Sequence, residues 1–278
     1  VTQTTSTFWT RRRDPSAVTG LALTAATAVI VIGGSLLAAL AAFVQSNATL
    51  VRIDRGAANW GSTNATTAST RVLRIVTQGG ATVTIIVLAV VVVLVALVRQ
   101  RESVLAIAGF LALVVVGQNL IANVVKAIVD RARPTGHLLA GFSGPSFPSG
   151  HATAAFATFS AIALVAGRGR SGHRQAALLG TALGAATMVG ASRVLLEVHW
   201  LTDVVAGAAL GLAWFAASSV AFGGRLLRFG LPVEAGERAA DLVARHGTDH
   251  TVGPVSPFDG TDERALSSHA DPPPHRGP

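Results

Sequence analysis

The chain has 278 residues, of which 50% are hydrophobic and only 13% charged, with a formal net charge of +8 and a mean hydropathy of +0.53. Soluble domains carry about 25% charged residues, so composition places the chain in the membrane class. The absence of cysteine excludes disulfides, thiolate metal sites and cysteine nucleophiles.

The positive charge does not point to nucleic acid, because the arginines gather at the ends of apolar segments rather than forming one basic face. Lys126 is the only lysine among 22 basic residues. That bias, with abundant Ala, Val and Gly, leads to the expectation of a GC-rich bacterial source.

A membrane span needs about 20 mostly apolar residues. In chain order the candidates are 19–44, 75–98, 104–126, 150–167, 175–192 and 203–222. The fold class expected is therefore all-α, a polytopic membrane bundle of six transmembrane helices. Arg11, Arg12 and Arg13 precede the first segment as in a signal peptide. A signal h-region runs only about 7–15 residues, and the uncharged stretch from Thr19 to Val44 is longer, so it is taken as a span.

The connector 45–74 is rich in Ser, Thr and Asn and holds Trp60, which suits an interfacial segment with the indole at headgroup depth. Asn47-Ala-Thr49 and Asn64-Ala-Thr66 match the glycosylation pattern and are read as chance matches in a Thr-rich loop. From Gly223 onward the chain turns charged and Pro-rich. Residues 234–246 suit a short surface helix, and the rest is expected to be a disordered tail.

Arg11–Arg13, Arg99 with Arg101, Arg168 with Arg170 and Arg174, and Arg225 with Arg228 all fall on one face if the chain crosses six times. The positive-inside bias makes that face cytoplasmic, together with both termini. The division expected is 1–18 as a cytoplasmic segment, 19–222 as the six-span domain and 223–278 as a cytoplasmic tail. Connectors 45–74, 127–149 and 193–202 then lie outside.

The outer connectors concentrate groups that are costly at membrane depth. His199 and Asp203 are four residues apart, one turn on a helix face. A carboxylate there fixes the imidazole tautomer and leaves the other nitrogen as nucleophile or base. Alone, such a pair reads equally as a helix-start histidine with a capping partner. Arg193 nearby adds a guanidinium suited to bidentate phosphate binding.

Lys126 ends the third span, and Asn119 and Asn123 share its helix face by spacing. Intramembrane polar residues usually face the bundle interior. Arg131 and Arg133 follow. In "PSGH", Pro148 to His151, Gly150 admits a ligand to the backbone and the next helix offers free N–H groups to an anion. His151 is placed to give a proton to that anion, while Ser149 also suits a plain N-cap. No acidic cluster suits magnesium and no Cys/His spacing suits zinc, so neither a metal nor another cofactor is expected.

Lys126-x6-Arg133-Pro134, Pro148-Ser149-Gly150-His151 and Ser192-Arg193-x5-His199-x3-Asp203 resemble, in order and spacing, the three-part signature of the type 2 phosphatidic acid phosphatase superfamily. That family also includes bacterial acid phosphatases and vanadium haloperoxidases. The resemblance covers about residues 19–222. It implies that His199 attacks phosphorus to form a phosphohistidine and that Asp203 orients it. His151 would protonate the leaving oxygen and then help activate water. Lys126, Arg133 and Arg193 would hold the phosphate oxygens, with Ser149 and Gly150 adding hydrogen bonds. Pro134, Pro148, Ser192, Asn119 and Asn123 would support them. Glu197 stands where the family more often has a small residue.

A membrane lipid phosphate is the substrate and partner implied: undecaprenyl diphosphate, phosphatidic acid or phosphatidylglycerol phosphate. A transporter or channel for an anionic solute is the alternative from another class, but it leaves both histidines unused. A vanadate enzyme would use the same pocket, but those relatives are soluble.

Overall fold

The computed structural model describes residues 15–99, 104–134 and 144–226. Arg11–Arg13, Arg101 and the tail beyond Leu226 lie outside the described residues. Chain contacts divide the protein between Leu231 and Pro232, and every described residue belongs to the first part. Eight α-helices and a 3₁₀ turn make up the fold, with no strand among the described residues.

Helix α1 (Pro15–Phe43), α4 (Thr82–Arg99), α5 (Val104–Val129), α6 (Gly150–Gly167), α7 (Gly172–Leu195) and α8 (Leu201–Leu226) are the six long and apolar enough to cross a membrane. Five of them match the expected spans to within a few residues. The second, α4, starts later than expected because the chain from 67 to 80 is spent on other elements.

The connector after α1 folds into two further helices, α2 (Ala48–Thr63) and α3 (Thr67–Thr77), then the 3₁₀ turn Gln78–Gly80. Three of the four residues that end the two glycosylation patterns, Asn47, Asn64 and Thr66, are helix caps. The Asn47 side chain accepts from the N–H groups of Thr49 and Leu50. Thr66 forms a capping box with Ser69, satisfying donors that a helix start leaves orphaned. Trp60 is exposed on α2.

Helix α6 is the hub: 61% of its span window is buried against 0% for α1. Its core residues are small, Ala152, Ala154, Ala155, Ala157 and Ala161, which lets neighbours approach closely where lipid supplies no hydrophobic drive between helices. Helix α8 approaches through Gly207 and Gly211. A Cβ at Gly207 would stand 2.6 Å from the Ser149 carbonyl oxygen, and one at Gly211 2.6 Å from that of Thr153. On one flank Ile107, Phe110, Leu111 and Val114 of α5 pack on Ala157 and Ala161. On the other, Ala186, Val189 and Val194 of α7 meet Ala152, Ala155 and Val204.

Candidate active site

The site is built where α5 and α7 end and α6 and α8 begin. Asp130, with φ 43°, ends α5, and residues 131–134 run on without helix. The segment 144–149, with a cis Phe147–Pro148 bond, is tied to it by Ser146 N–H donating to the Arg131 carbonyl at 2.7 Å. Glu197, with φ 55°, turns the chain between α7 and α8. That left-handed conformation favours glycine, in keeping with the small residue that the resemblance leads one to expect there.

The three motif segments converge. The N–H of Ser149 donates to the Asp203 carbonyl at 2.9 Å, and the N–H groups of Val198 and His199 donate to the Arg193 carbonyl at 3.1 and 3.2 Å. His199 is 2% exposed and Asp203 0%. Nδ1 of His199 stands 3.4 Å from Asp203 Oδ2, within ion-pair reach and a few tenths of an ångström beyond a good hydrogen bond. On the other side of the ring, Arg133 Nη1 lies 3.2 Å from Nε2. A guanidinium only donates, so Nε2 is the acceptor and the ring proton sits on Nδ1, facing the carboxylate. Burial pushes His199 down to about 4, with the Asp203 hydrogen bond and charge opposing it. The ring is therefore neutral at pH 7, with the Nε2 lone pair held by Arg133 rather than by a proton.

The cations surround that nitrogen. Arg133 also donates to the carbonyls of Gly144 (3.0 Å), Val198 (2.8 Å) and Pro145 (3.3 Å). Burial holds its pKa below the ordinary arginine value, with Asp203 opposing. Lys126 Nζ donates to the Pro145 carbonyl at 3.0 Å. Arg193, 1% exposed, donates to Thr77 Oγ1 at 2.8 Å. His151 lies close enough to Arg193, His199, Arg133 and Lys126 to interact with each electrostatically.

Ser149 sits at the N-cap of α6 but makes no side-chain cap bond. Its hydroxyl is fully buried and has no hydrogen-bond partner, so the plain-cap reading is not what the structure shows. Gly150 opens the helix. Pro148 and Pro134 frame the two loop segments, and the Ser192 hydroxyl donates back to the Val189 carbonyl at 2.6 Å, inside its own helix. Asn119 and Asn123 do not join the site. Both are exposed, and Asn123 donates to Asn119 at 2.8 Å, so their helix face looks outward rather than into the bundle. Among the described residues no group of three or more His, Asp or Glu is placed to hold a metal.

Several site-shaping residues escaped the sequence reading. Thr77 holds Arg193, and Gly80 backs His151 so closely that a Cβ there would stand 2.8 Å from the His151 carbonyl oxygen. Arg131 and Asp54 form a buried ion pair at 2.7 Å. The Gly79-Gly80 pair was the one local signal of a close approach.

Residues 107–226 match the family model of the PAP2 superfamily. The chain is 38% identical over 120 residues to a lipid A 1-phosphatase of Rhizobium johnstonii, a stretch covering 39% of this chain and 45% of that protein. It is 37% identical over 111 residues to phosphatidylglycerophosphatase B of Bacillus subtilis, covering 38% and 54%. The chain thus spans about half the length of the curated relatives it matches. Its fold is similar to the crystal structure of a transmembrane PAP2-type phosphatidylglycerolphosphate phosphatase from Bacillus subtilis, with a TM-score of 0.62 and 24% identity over 72% of this chain and 96% of that one. At that identity the likeness is one of fold.

Proposed function

Residues 107–226 belong to the PAP2 superfamily, and on that premise we propose that the chain is an integral membrane phosphatase acting on a lipid phosphate or diphosphate through a phosphohistidine. The observation that carries the reading is the His199 ring itself, with Nδ1 toward Asp203 and Nε2 toward Arg133. A transporter for an anionic solute would leave this His199–Asp203 pair unused.

In the first step His199 Nε2 forms a bond to phosphorus as the bond to the leaving oxygen breaks. Arg133, Lys126 and Arg193 neutralise the equatorial oxygens, and the Ser149 hydroxyl and Gly150 N–H donate to them. His151 gives its proton to the leaving oxygen, and the bound phosphate's negative charge favours the imidazolium that can do so. In the second step His151 takes a proton from water, the water oxygen attacks phosphorus, and the N–P bond breaks to release phosphate. The cations do the charge neutralisation, so no metal is needed.

The bundle and the relatives support a lipid phosphate as the substrate class. A site at helix ends, among spans, suits a headgroup at the membrane surface. Lipid A 1-phosphate and phosphatidylglycerol phosphate, named for the relatives, join phosphatidic acid and undecaprenyl diphosphate as candidates. Purified protein in detergent with excess EDTA should release phosphate from at least one of these and be inhibited by vanadate. Activity lost to EDTA and restored by magnesium would contradict the proposed site, and release from none of the four would remove the reading.

A further inference from the structure

Asp54 belongs to α2, outside all three motifs and outside the span of the family match, yet it is 1% exposed. A buried carboxylate is costly unless paired and hydrogen-bonded. Asp54 is both. Its Oδ2 accepts from Arg131 Nη2 at 2.7 Å and from the Thr202 hydroxyl at 2.6 Å. Its Oδ1 accepts from the Thr202 N–H at 2.8 Å, a donor that the start of α8 would otherwise leave orphaned.

Arg131 then reaches from Asp54 to the catalytic carboxylate. Its Nη1 donates to Asp203 Oδ1 at 2.6 Å and to Thr202 Oγ1 at 2.8 Å. Its guanidinium carbon lies 5.5 Å from the centre of the Trp200 ring, whose indole N–H is held by the Ala132 carbonyl at 2.8 Å. The other carboxylate oxygen, Oδ2, accepts from the Trp200 N–H at 3.0 Å and faces His199. Asp203 is thus clamped at Oδ1, leaving Oδ2 to orient the ring.

A cation directly on Asp203 carries a penalty: it cancels part of the negative charge that should stabilise the imidazole proton. Asp54 returns that charge. Taken together, Asp54, Arg131 and Asp203 carry a net charge of about −1 beside His199, as a lone aspartate would, but in a fixed geometry.

We propose that Asp54 and Arg131 are positioning residues for the reaction, acting through Asp203: Arg131 fixes the carboxylate and Asp54 neutralises Arg131 so that the carboxylate keeps its charge toward His199. This rests on the reading of His199 as the nucleophile. Neither residue touches the phosphate, whose oxygens are left to Lys126, Arg133 and Arg193.

The test compares turnover with phosphate binding. In purified full-length protein, Asp54→Asn keeps the shape but loses the compensating charge, and Arg131→Lys keeps a charge but cannot span both carboxylates. Each should lower kcat by about 10–100-fold, the range found for partners that orient a ligand or catalytic group from behind. The inhibition constant for inorganic phosphate should stay within about twofold, since the phosphate-binding cations are untouched. The rate of phosphoenzyme formation, measured by rapid quench with labelled substrate, should fall with kcat. A kcat within twofold of wild type in both variants would overturn the proposal. So would a parallel loss of turnover and phosphate binding, which is what general damage to the fold produces. If Arg131→Lys does not purify, Asp54→Asn decides alone. A wild-type enzyme that turns over without any trappable phosphoenzyme would instead sink the nucleophile assignment, and the proposal with it.

Discussion

At the scale of single residues, the two histidines are distinguished by their partners. His199 has its Nε2 among cations and its Nδ1 toward a carboxylate, so His199→Ala should abolish turnover and leave no phosphoenzyme. His151→Ala should slow ordinary alkyl phosphates by roughly two to four orders of magnitude, the range of general acid catalysis. It should cost far less with p-nitrophenyl phosphate, whose leaving group needs little protonation. Reversed leaving-group sensitivity between the two variants would exchange their roles. Burial holds the His199 pKa near 4, below the free value of 6.5. A depressed folded-state value means that its stabilising contribution is complete above about pH 6.5 and lost as pH falls toward 4. Thermal unfolding in detergent should therefore show a stability loss over that window that is smaller in His199→Gln. Glu197 carries left-handed strain, and Glu197→Gly should raise the melting temperature by an amount equivalent to about 1 kcal/mol, relief of strain less the entropy of glycine. The motif residues were legible in the sequence because their chemistry sits at fixed spacing within short stretches. Asp54 and Thr77 were not, and Arg131 was named without its partners, since those partners are 71 to 148 residues away and a lone Asp or Thr in a polar connector gives no sign of burial.

Among the elements, the approach of α8 to α6 decides where the anion site lies relative to the nucleophile. The Ser149 carbonyl fills the space that a Cβ at Gly207 would need, and the Ser149 N–H in turn donates to the Asp203 carbonyl. Gly207→Leu should force the two helices apart, lower the melting temperature by the equivalent of about 1–3 kcal/mol and reduce kcat sharply, whereas the same change at Gly184, where a Cβ meets nothing within 4 Å, should leave kcat close to wild type. Hydropathy made the six spans legible, because length and apolar content are all a span needs. It could not resolve α2, α3 and the 3₁₀ turn, whose residues are polar enough to read as a loop. The capping signals at Asn47 and Thr66 were present, but the Asn-Ala-Thr pattern was read for its glycosylation meaning and not for its backbone one. Helical spacing correctly put Asn119, Asn123 and Lys126 near one face. It could not say that the face of the two asparagines looks out of the bundle, because periodicity gives relative angles and not the direction of the core.

Over the whole molecule, one group of arginines lies away from the site. Arg99, Arg168, Arg170 and Arg174 lie at or between the ends of α4, α6 and α7 remote from the site, and we propose from the positive-inside bias that these ends face the cytoplasm, against Arg52, Arg55, Arg71 and Arg74 on α2 and α3. The chain has no cysteine of its own, so single cysteines report cleanly. One at the exposed Asn64 should react with a membrane-impermeant thiol reagent in intact cells, and one at the exposed Ser171 should react only after lysis. The opposite pattern would turn the site to the cytoplasm.

The family match begins at residue 107, yet Arg131 and Arg193 both lean on residues before it, Asp54 and Thr77. The recognisable half of the chain is therefore not a portable module. Grafted onto the N-terminal half of a relative, it would arrive without its own counter-charge and its own hydroxyl. Arg131 would keep Asp203 and Thr202 but lose Asp54, and Arg193 would lose Thr77. A working exchange of the N-terminal helices should therefore require an acid opposite Arg131 and an acceptor opposite Arg193. That requirement on inheritance is written in side chains that no local motif records.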